Sequence, residues 1–246
     1  MFTAISPSGH YVVLLTVSLN FYVFTTDPVA LACAGEFRKQ PSRKAVFKYK
    51  RGTEKDDFQF PLKEVEMKNF SAVAISDEYL AIGGCGRVMI FLLDGNLAGR
   101  WIFQYHVPGA LIERLKFSPN GAELLVLLND EQGSRSRALV FSSGTFPKGT
   151  DIGLDREEPT TASPFEIQLG NWDTTYSPGS VAWSLRGDKI AICTTAAGVF
   201  AEIRLLKKSK GSWKAWGAKR VQVLPNELPD GQGFTGISLY CFHYSG

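Results

Sequence analysis

Three histidines, His10, His106 and His243, are the whole supply of side chains that titrate near neutral pH. His10 falls in a predicted turn, His106 at a predicted strand end and His243 three residues from the last. No Gly-x-Ser-x-Gly elbow and no His-Glu-x-x-His occurs. Asp56-Asp57 and Glu157-Glu158 are adjacent carboxylates in charged stretches, where they face water. An acid/base pair must instead converge across a cleft. Gly83-Gly84-Cys85-Gly86 imitates a phosphate cradle, but Arg87-Val88-Met89-Ile90 follows, which is a strand. A phosphate loop needs Lys-Ser/Thr and a helix N-terminus at that point. The glycines therefore read as a hairpin connection, and the chain as non-enzymatic, with no cofactor.

Cys33, Cys85, Cys193 and Cys241 stand far apart, each in or beside an apolar run, with no CxxC or Cys/His zinc spacing. They read as buried free thiols, which implies a reducing, intracellular compartment, cytoplasm or nucleus.

Charge is where a binding function would show. The net charge of +3 commits the whole chain to no polyanion, but the basic residues are clustered. Arg38, Lys39, Arg43, Lys44, Lys48, Lys50 and Arg51 place seven positive charges in fourteen residues. Arg204, Lys207, Lys208, Lys210, Lys214, Lys219 and Arg220 place seven in seventeen, interleaved with Trp213 and Trp216. Cations with aromatics can hold phosphates and stack bases, so an RNA or phosphoinositide site is one reading. The other is a solvated strand edge: Lys48 and Lys50 alternate with Phe47 and Tyr49, and edge strands use lysine to discourage pairing. Nearby acids, among them Glu54, Asp56 and Asp57, dilute the field, which favours the edge. A separate candidate is the segment Asn171-Trp172-Asp173-Thr174-Thr175-Tyr176. Trp172 and Tyr176 either anchor a partner, as large rigid aromatics do, or Trp172 folds back onto its own domain. Pro108, in Val107-Pro108-Gly109, is placed at the same rim.

The elements that would carry these residues are strands. With 246 residues, 44% hydrophobic and 21% charged, the chain can bury a core without disulfides. No stretch shows sustained helical periodicity. Five segments share one shape, an apolar run ending in Ser, a tight turn, then another apolar run; their serines are Ser6, Ser76, Ser118, Ser184 and Ser238, at spacings of 70, 42, 66 and 54 residues. Second strands are expected at 11–16, 79–83, 123–128 and 189–194, third strands at 21–26, 87–93, 137–142 and 199–205, and more polar fourth strands at 44–51, 100–106, 165–169 and 218–224. Residues 40–67 and 145–163 read as inserted surface loops.

This pattern resembles the WD40-like β-propeller family, of the type found in fungal proteins, over nearly the whole chain. Phe117-Ser118-Pro119-Asn120-Gly121 followed by Glu123–Leu128 carries the likeness, with the equivalent segments at Ser6, Ser76 and Ser184. Phe24, Phe91 and Phe141 stand where the family often has the Trp of its Trp-Asp pair. None is followed by Asp, so the hydrogen-bonded network built on the Trp-Asp pair is absent. The resemblance implies an all-β chain of about four four-stranded blades (1–69, 70–110, 111–178, 179–233) plus one extra strand from 234, as in a partial propeller or a fragment of a larger one. It implies a single propeller region over residues 1–246 that serves as a protein-protein interaction scaffold. Phe37-Arg38-Lys39-Gln40 lacks the second Arg and the Gly of phosphoinositide-binding propellers. Residues 11–24 lack the basic flank and continuous apolar run of a signal peptide and are too short and polar to span a bilayer, so no transmembrane segment is expected.

Overall fold

Short runs rich in Val, Ile, Phe and Tyr, broken by turn residues, cannot satisfy their own backbone groups and must pair with neighbours. A computed structural model describes residues 2–15, 21–25, 45–49, 70–84, 86–93, 101–130, 135–146, 163–171, 176–196 and 200–222. In it each repeat pairs within itself. The first sheet is β1 (Phe2–Ile5), β2 (Tyr11–Leu15), β3 (Phe21–Thr25) and β4 (Ala45–Tyr49). The second is β5 (Phe70–Ile75), β6 (Tyr79–Gly84), β7 (Arg87–Leu92) and β8 (Trp101–His106). The third is β9 (Ala110–Phe117), β10 (Glu123–Asp130), β11 (Arg135–Ser142) and β12 (Phe165–Asn171). The fourth is β13 (Tyr176–Trp183), β14 (Lys189–Ala196), β15 (Phe200–Ser209) and β16 (Ser212–Gln222). All four are antiparallel meanders whose spatial order follows the chain. The four expected units are therefore four blades; the fifth, at Ser238, lies outside the described residues.

Every first strand ends in a buried serine that makes the same bonds. Ser6, Ser76, Ser118 and Ser184 are at most 9% exposed. Each hydroxyl accepts from the amide that opens the second strand: Tyr11 at 3.1 Å, Tyr79 at 2.9 Å, Glu123 at 3.0 Å and Lys189 at 3.0 Å. Each serine amide donates back to the carbonyl of that same residue, at 2.8 to 3.0 Å. In three turns the serine carbonyl accepts from Gly9, Gly121 or Gly187 at 2.9 Å. Those glycines have φ of +77°, +67° and +70°, a region in which a Cβ is strained, so Gly closes the turn. The Ser76 turn is two residues shorter and has no glycine.

The strands of the first two sheets, with Phe146, form one compact unit, and those of the last two form another. In the first, Val13, Val23, Ile75, Leu80, Ile82, Met89, Phe91 and Leu93 make a continuous core. Phe146 packs edge-on to Tyr79 (centroids 5.4 Å apart) and against Phe103 (5.1 Å). Expected in a surface loop, it is only 2% exposed, because its ring fills a gap between two aromatics of the second blade. In the second unit Leu125, Leu127, Val140, Val181, Ile190, Ile192 and Leu206 surround Trp183 and Trp213, whose rings meet edge to face at 5.6 Å and 74°. The third-strand aromatics share one register: Phe24 faces Val12, Phe91 faces Leu80, and Phe141 faces Leu124. The fourth blade has Leu206 there, facing Ile190, and Trp213 from the outer strand supplies the aromatic bulk.

Adjacent blades of each unit are tied through polar groups near these turns. Ser8 donates to Asp77 Oδ1 from its amide (3.3 Å) and from its hydroxyl. Burial raises the Asp77 carboxyl, but the Ser8 and Ser6 hydroxyls, the Ser8 amide and the charge of His10 outweigh it and hold the group below the usual carboxylate value. The Trp183 indole donates to the Lys116 carbonyl (3.2 Å), and the Lys116 ammonium to the Val181 carbonyl (3.1 Å). These bonds join the C-terminal ends of β9 and β13, and each of these strands runs toward its own serine turn.

Ser118→Ala leaves the buried Glu123 amide without an acceptor. It should lower unfolding free energy by about 1–3 kcal/mol in urea titration, whereas Ser209→Ala, at an exposed position, should stay within about 0.5 kcal/mol. A depressed carboxyl contributes stability above its unfolded value, about 3.9, and loses that contribution as pH falls through the lower folded value. Asp77→Asn should therefore flatten the fall in urea midpoint on acidification at the low-pH end of the curve. An unchanged acid profile would remove Asp77 from the linkage between the first two blades.

Candidate binding surfaces

The meander sends the two groups of candidate residues to opposite ends of the blades. In the second unit Pro108 lies in the exposed turn before β9, and Tyr176 is the first residue of β13, opposite Ala196. Since β9 and β13 each run toward their own serine turn, both positions are at the end away from the serine turns. Tyr176, expected in a loop, opens the strand instead. Trp172 lies outside the described residues, as do Lys50 and Arg51; Lys48 is placed on β4 opposite Tyr22.

The second basic cluster lies at the serine-turn end of the fourth blade. β15 and β16 meet in a two-residue hairpin, with Lys210 at φ +51° and Gly211 at φ +80°. Positive φ at both central positions matches the twist of the flanking strands. Strand alternation then splits the cluster between two faces. Lys208 and Trp213 face each other across β15 and β16 on the side that continues into the core. Lys208 Nζ is 2.6 Å from Glu123 Oε1, whose side chain is 8% exposed. Arg204 Nε is 2.7 Å from Glu202 Oε1. Trp213 is 4% exposed and cannot stack a base, and its indole nitrogen has no hydrogen-bond partner among the described residues. Lys207 is on the other face, exposed, with Lys189 and Lys214 directly opposite it on β14 and β16. The ammonium groups of Lys189 and Lys207 lie 5.2 Å and 5.8 Å from the Trp216 ring centre, within cation–π range. Of Lys207, Lys208 and Lys210, Lys208 is ion-paired to Glu123 and so links the third and fourth blades, while Lys207 and Lys210 are exposed. Register against β14 decides this, and neighbouring letters do not carry it.

Among the described residues no three His, Cys, Asp or Glu side chains stand together as metal ligands. Cys193 is a buried free thiol, raised above its ordinary value by burial. No helix among the described residues is long and apolar enough to cross a membrane.

No protein-family model matches the sequence, and no curated protein matches it. Among solved structures the chain is similar to hydrazine synthase of Kuenenia stuttgartiensis (TM-score 0.53, 11% identity, covering 89% of this chain and 48% of that one). It is similar to Sqt1 of Chaetomium thermophilum (TM-score 0.51, 18% identity, 87% of this chain and 48% of that one). A second structure of that protein, bound to the N-terminus of the ribosomal protein L10, gives TM-score 0.50 at 17% identity, over 88% of this chain and 48% of that one. The chain thus spans about half the length of these proteins, and at such identities the likeness is one of fold. The fold is that of a WD40-like β-propeller. In a propeller blade the first-to-second and third-to-fourth connections share one end. The WD40-like serine turn of the fourth blade and the Lys210-Gly211 hairpin do so here.

Lys208→Met should cost about 1.5–3 kcal/mol in urea titration, because it strands the buried Glu123 carboxylate. Lys207→Met should stay within about 0.5 kcal/mol. Equal effects would mean that the two lysines are not on opposite faces of β15.

Proposed function

We propose that the chain is a non-catalytic protein-protein interaction scaffold of the WD40-like kind, working in the cytoplasm or nucleus. The observation that carries this reading is the repeated serine clasp. It holds each described blade by the same buried bonds and leaves the turn tips and blade ends free to differ. At the end away from the serine turns the residues that open the first strands differ: Phe2, Phe70, Ala110 and Tyr176. A rigid frame with variable tips suits recognition of other proteins, because little ordering is lost when a partner docks. The structure of Sqt1 with a ribosomal-protein segment supports the same reading by analogy of fold. The likeness to hydrazine synthase is also one of fold and brings no chemistry with it.

Within this reading Trp172, Tyr176 and Pro108 form the partner-facing rim at the end away from the serine turns. Aromatic anchors at such a rim would hold a partner mainly by apolar contact, which salt does not screen. Affinity capture from lysate in low and high salt tests this. A defined protein partner should survive high salt and be lost from the Trp172→Ala/Tyr176→Ala double variant. Recovery of chaperones alone, or of nucleic acid released by salt, would overturn the reading.

A further inference from the structure

β16 is the outermost strand of its sheet. Lys214, Ala215, Trp216, Gly217 and Ala218 are consecutive exposed residues on it, and a Cβ added at Gly217 would meet nothing within 4 Å. Three of the five side chains are Ala or Gly, so little shields the edge backbone at this stretch. An open edge with small side chains is a template for another strand.

Charge is concentrated beside that edge. Lys189, Lys207 and Lys214 occupy directly opposite positions on β14, β15 and β16, so their side chains leave the same face in one row. Like charges in such a row work against the sheet. Lys210 is exposed in the adjoining hairpin. None of Lys207, Lys210 and Lys214 has a carboxylate within ion-pair distance among the described residues. Among the described residues, Lys207, Lys210 and Lys214 lack a carboxylate that would neutralise them, and the β16 edge has no strand paired beyond it. One occupant supplies both.

We propose that the β16 edge from Lys214 to Ala218 receives an extended acidic segment of a partner protein as an added strand. Its main chain pairs with β16. Acidic residues at alternate positions place their carboxylates on the lysine face, where the charges set register and direction. Single-stranded nucleic acid fits less well, because stacking needs an open aromatic face. Here the Trp216 ring already carries two ammonium groups, and Trp213 is buried. The proposal rests on the scaffold reading and adds a second surface, at the opposite end of the blades from Pro108 and Tyr176.

The test uses the full chain and a short labelled peptide with Glu at alternate positions and Val or Thr between them, followed by fluorescence anisotropy. Binding should weaken about tenfold or more for Lys207→Glu/Lys214→Glu, both at exposed positions. It should weaken similarly for a peptide of the same charge whose central residue is Pro, which cannot complete a ladder. The Trp172→Ala/Tyr176→Ala variant should bind the peptide as the parent does. Loss of lysate partners from that variant therefore reports on the rim alone, and failure of the peptide reports on this edge alone. No binding, binding indifferent to the proline, or a single-stranded RNA of equal charge binding more tightly would each overturn the proposal.

Discussion

A serine hydroxyl accepting the first amide of the next strand is the bond on which the rest of the structure is built. In an antiparallel turn of this length the amide that opens the second strand has no carbonyl opposite it, since the serine carbonyl is bonded to a turn glycine in three of the four described blades. The amide is buried in two of the turns and partly buried in the other two, so it must find an acceptor or destabilise the fold. Serine carries that acceptor on the shortest possible stem, and the four described turns use it at 2.9 to 3.1 Å. A longer polar side chain would not fit inside the turn, and alanine would leave the donor orphaned. Once the turn is closed, registers such as Ile5 with Val12 and Trp183 with Ile190 follow residue by residue, and the alternate side chains fall to fixed faces.

The same turns reach across to the next blade. Ser8, beside the clasp serine of the first blade, holds Asp77 of the second. In the second unit an added Cβ at Gly187 would sit 3.4 Å from the Asn120 amide and 3.6 Å from Ser118 Cβ, so the two turns are in close contact. Lys208 extends this link by reaching from β15 to Glu123, the residue that opens β10. These short polar links join neighbouring blades in a chain whose third-strand aromatics Phe24, Phe91 and Phe141 are not followed by Asp.

The strands and their order were legible in the sequence because propeller blades are local: each strand pairs with the next one along, so turn residues and hydrophobic runs mark both elements and topology. The serine repeat was visible at Ser118 and Ser184, where Pro-Asn-Gly or Arg-Gly follows, and faint at Ser76, where the turn is too short to need glycine. What the sequence left hidden were contacts set by register or by long-range packing. Lys207 and Lys208 are equivalent as letters, and only the register that sets Lys207 opposite Lys189 and Leu206 opposite the buried Ile190 sends Lys207 outward and Lys208, two residues after Leu206, to Glu123. Trp213 and Trp216 look like one aromatic pair in a basic run, yet one completes the fourth blade's core and the other carries two lysines. Phe146 sits in a polar stretch with no period to mark it, and its burial depends on a gap between Tyr79 and Phe103. Trp172, Lys50 and Arg51 lie outside the described residues and rest on their sequence context.

Function divides along the same line as structure. Groups near the serine turns are drawn into fixed bonds: Ser8 to Asp77, Ser118 to Asn120 (2.7 Å) and Ser184 to Asp188 (2.9 Å). Such groups have spent their hydrogen-bonding capacity on the frame. In the proposed reading a partner is met by what the frame leaves over, at Pro108 and Tyr176 on one end and along the outer strand on the other. The outer strand of a blade is under the weakest structural demand, with one neighbour in its sheet. In β16 that freedom has not been used to guard the edge along its length: lysine stands at Lys214, but Ala215, Gly217 and Ala218 follow, exposed and small. A sheet selected only for stability and solubility would spread its charges along the edge and pair them with acids. Lys207 and Lys214, directly opposite each other beside an open stretch of backbone, instead suit the acidic strand proposed for this edge.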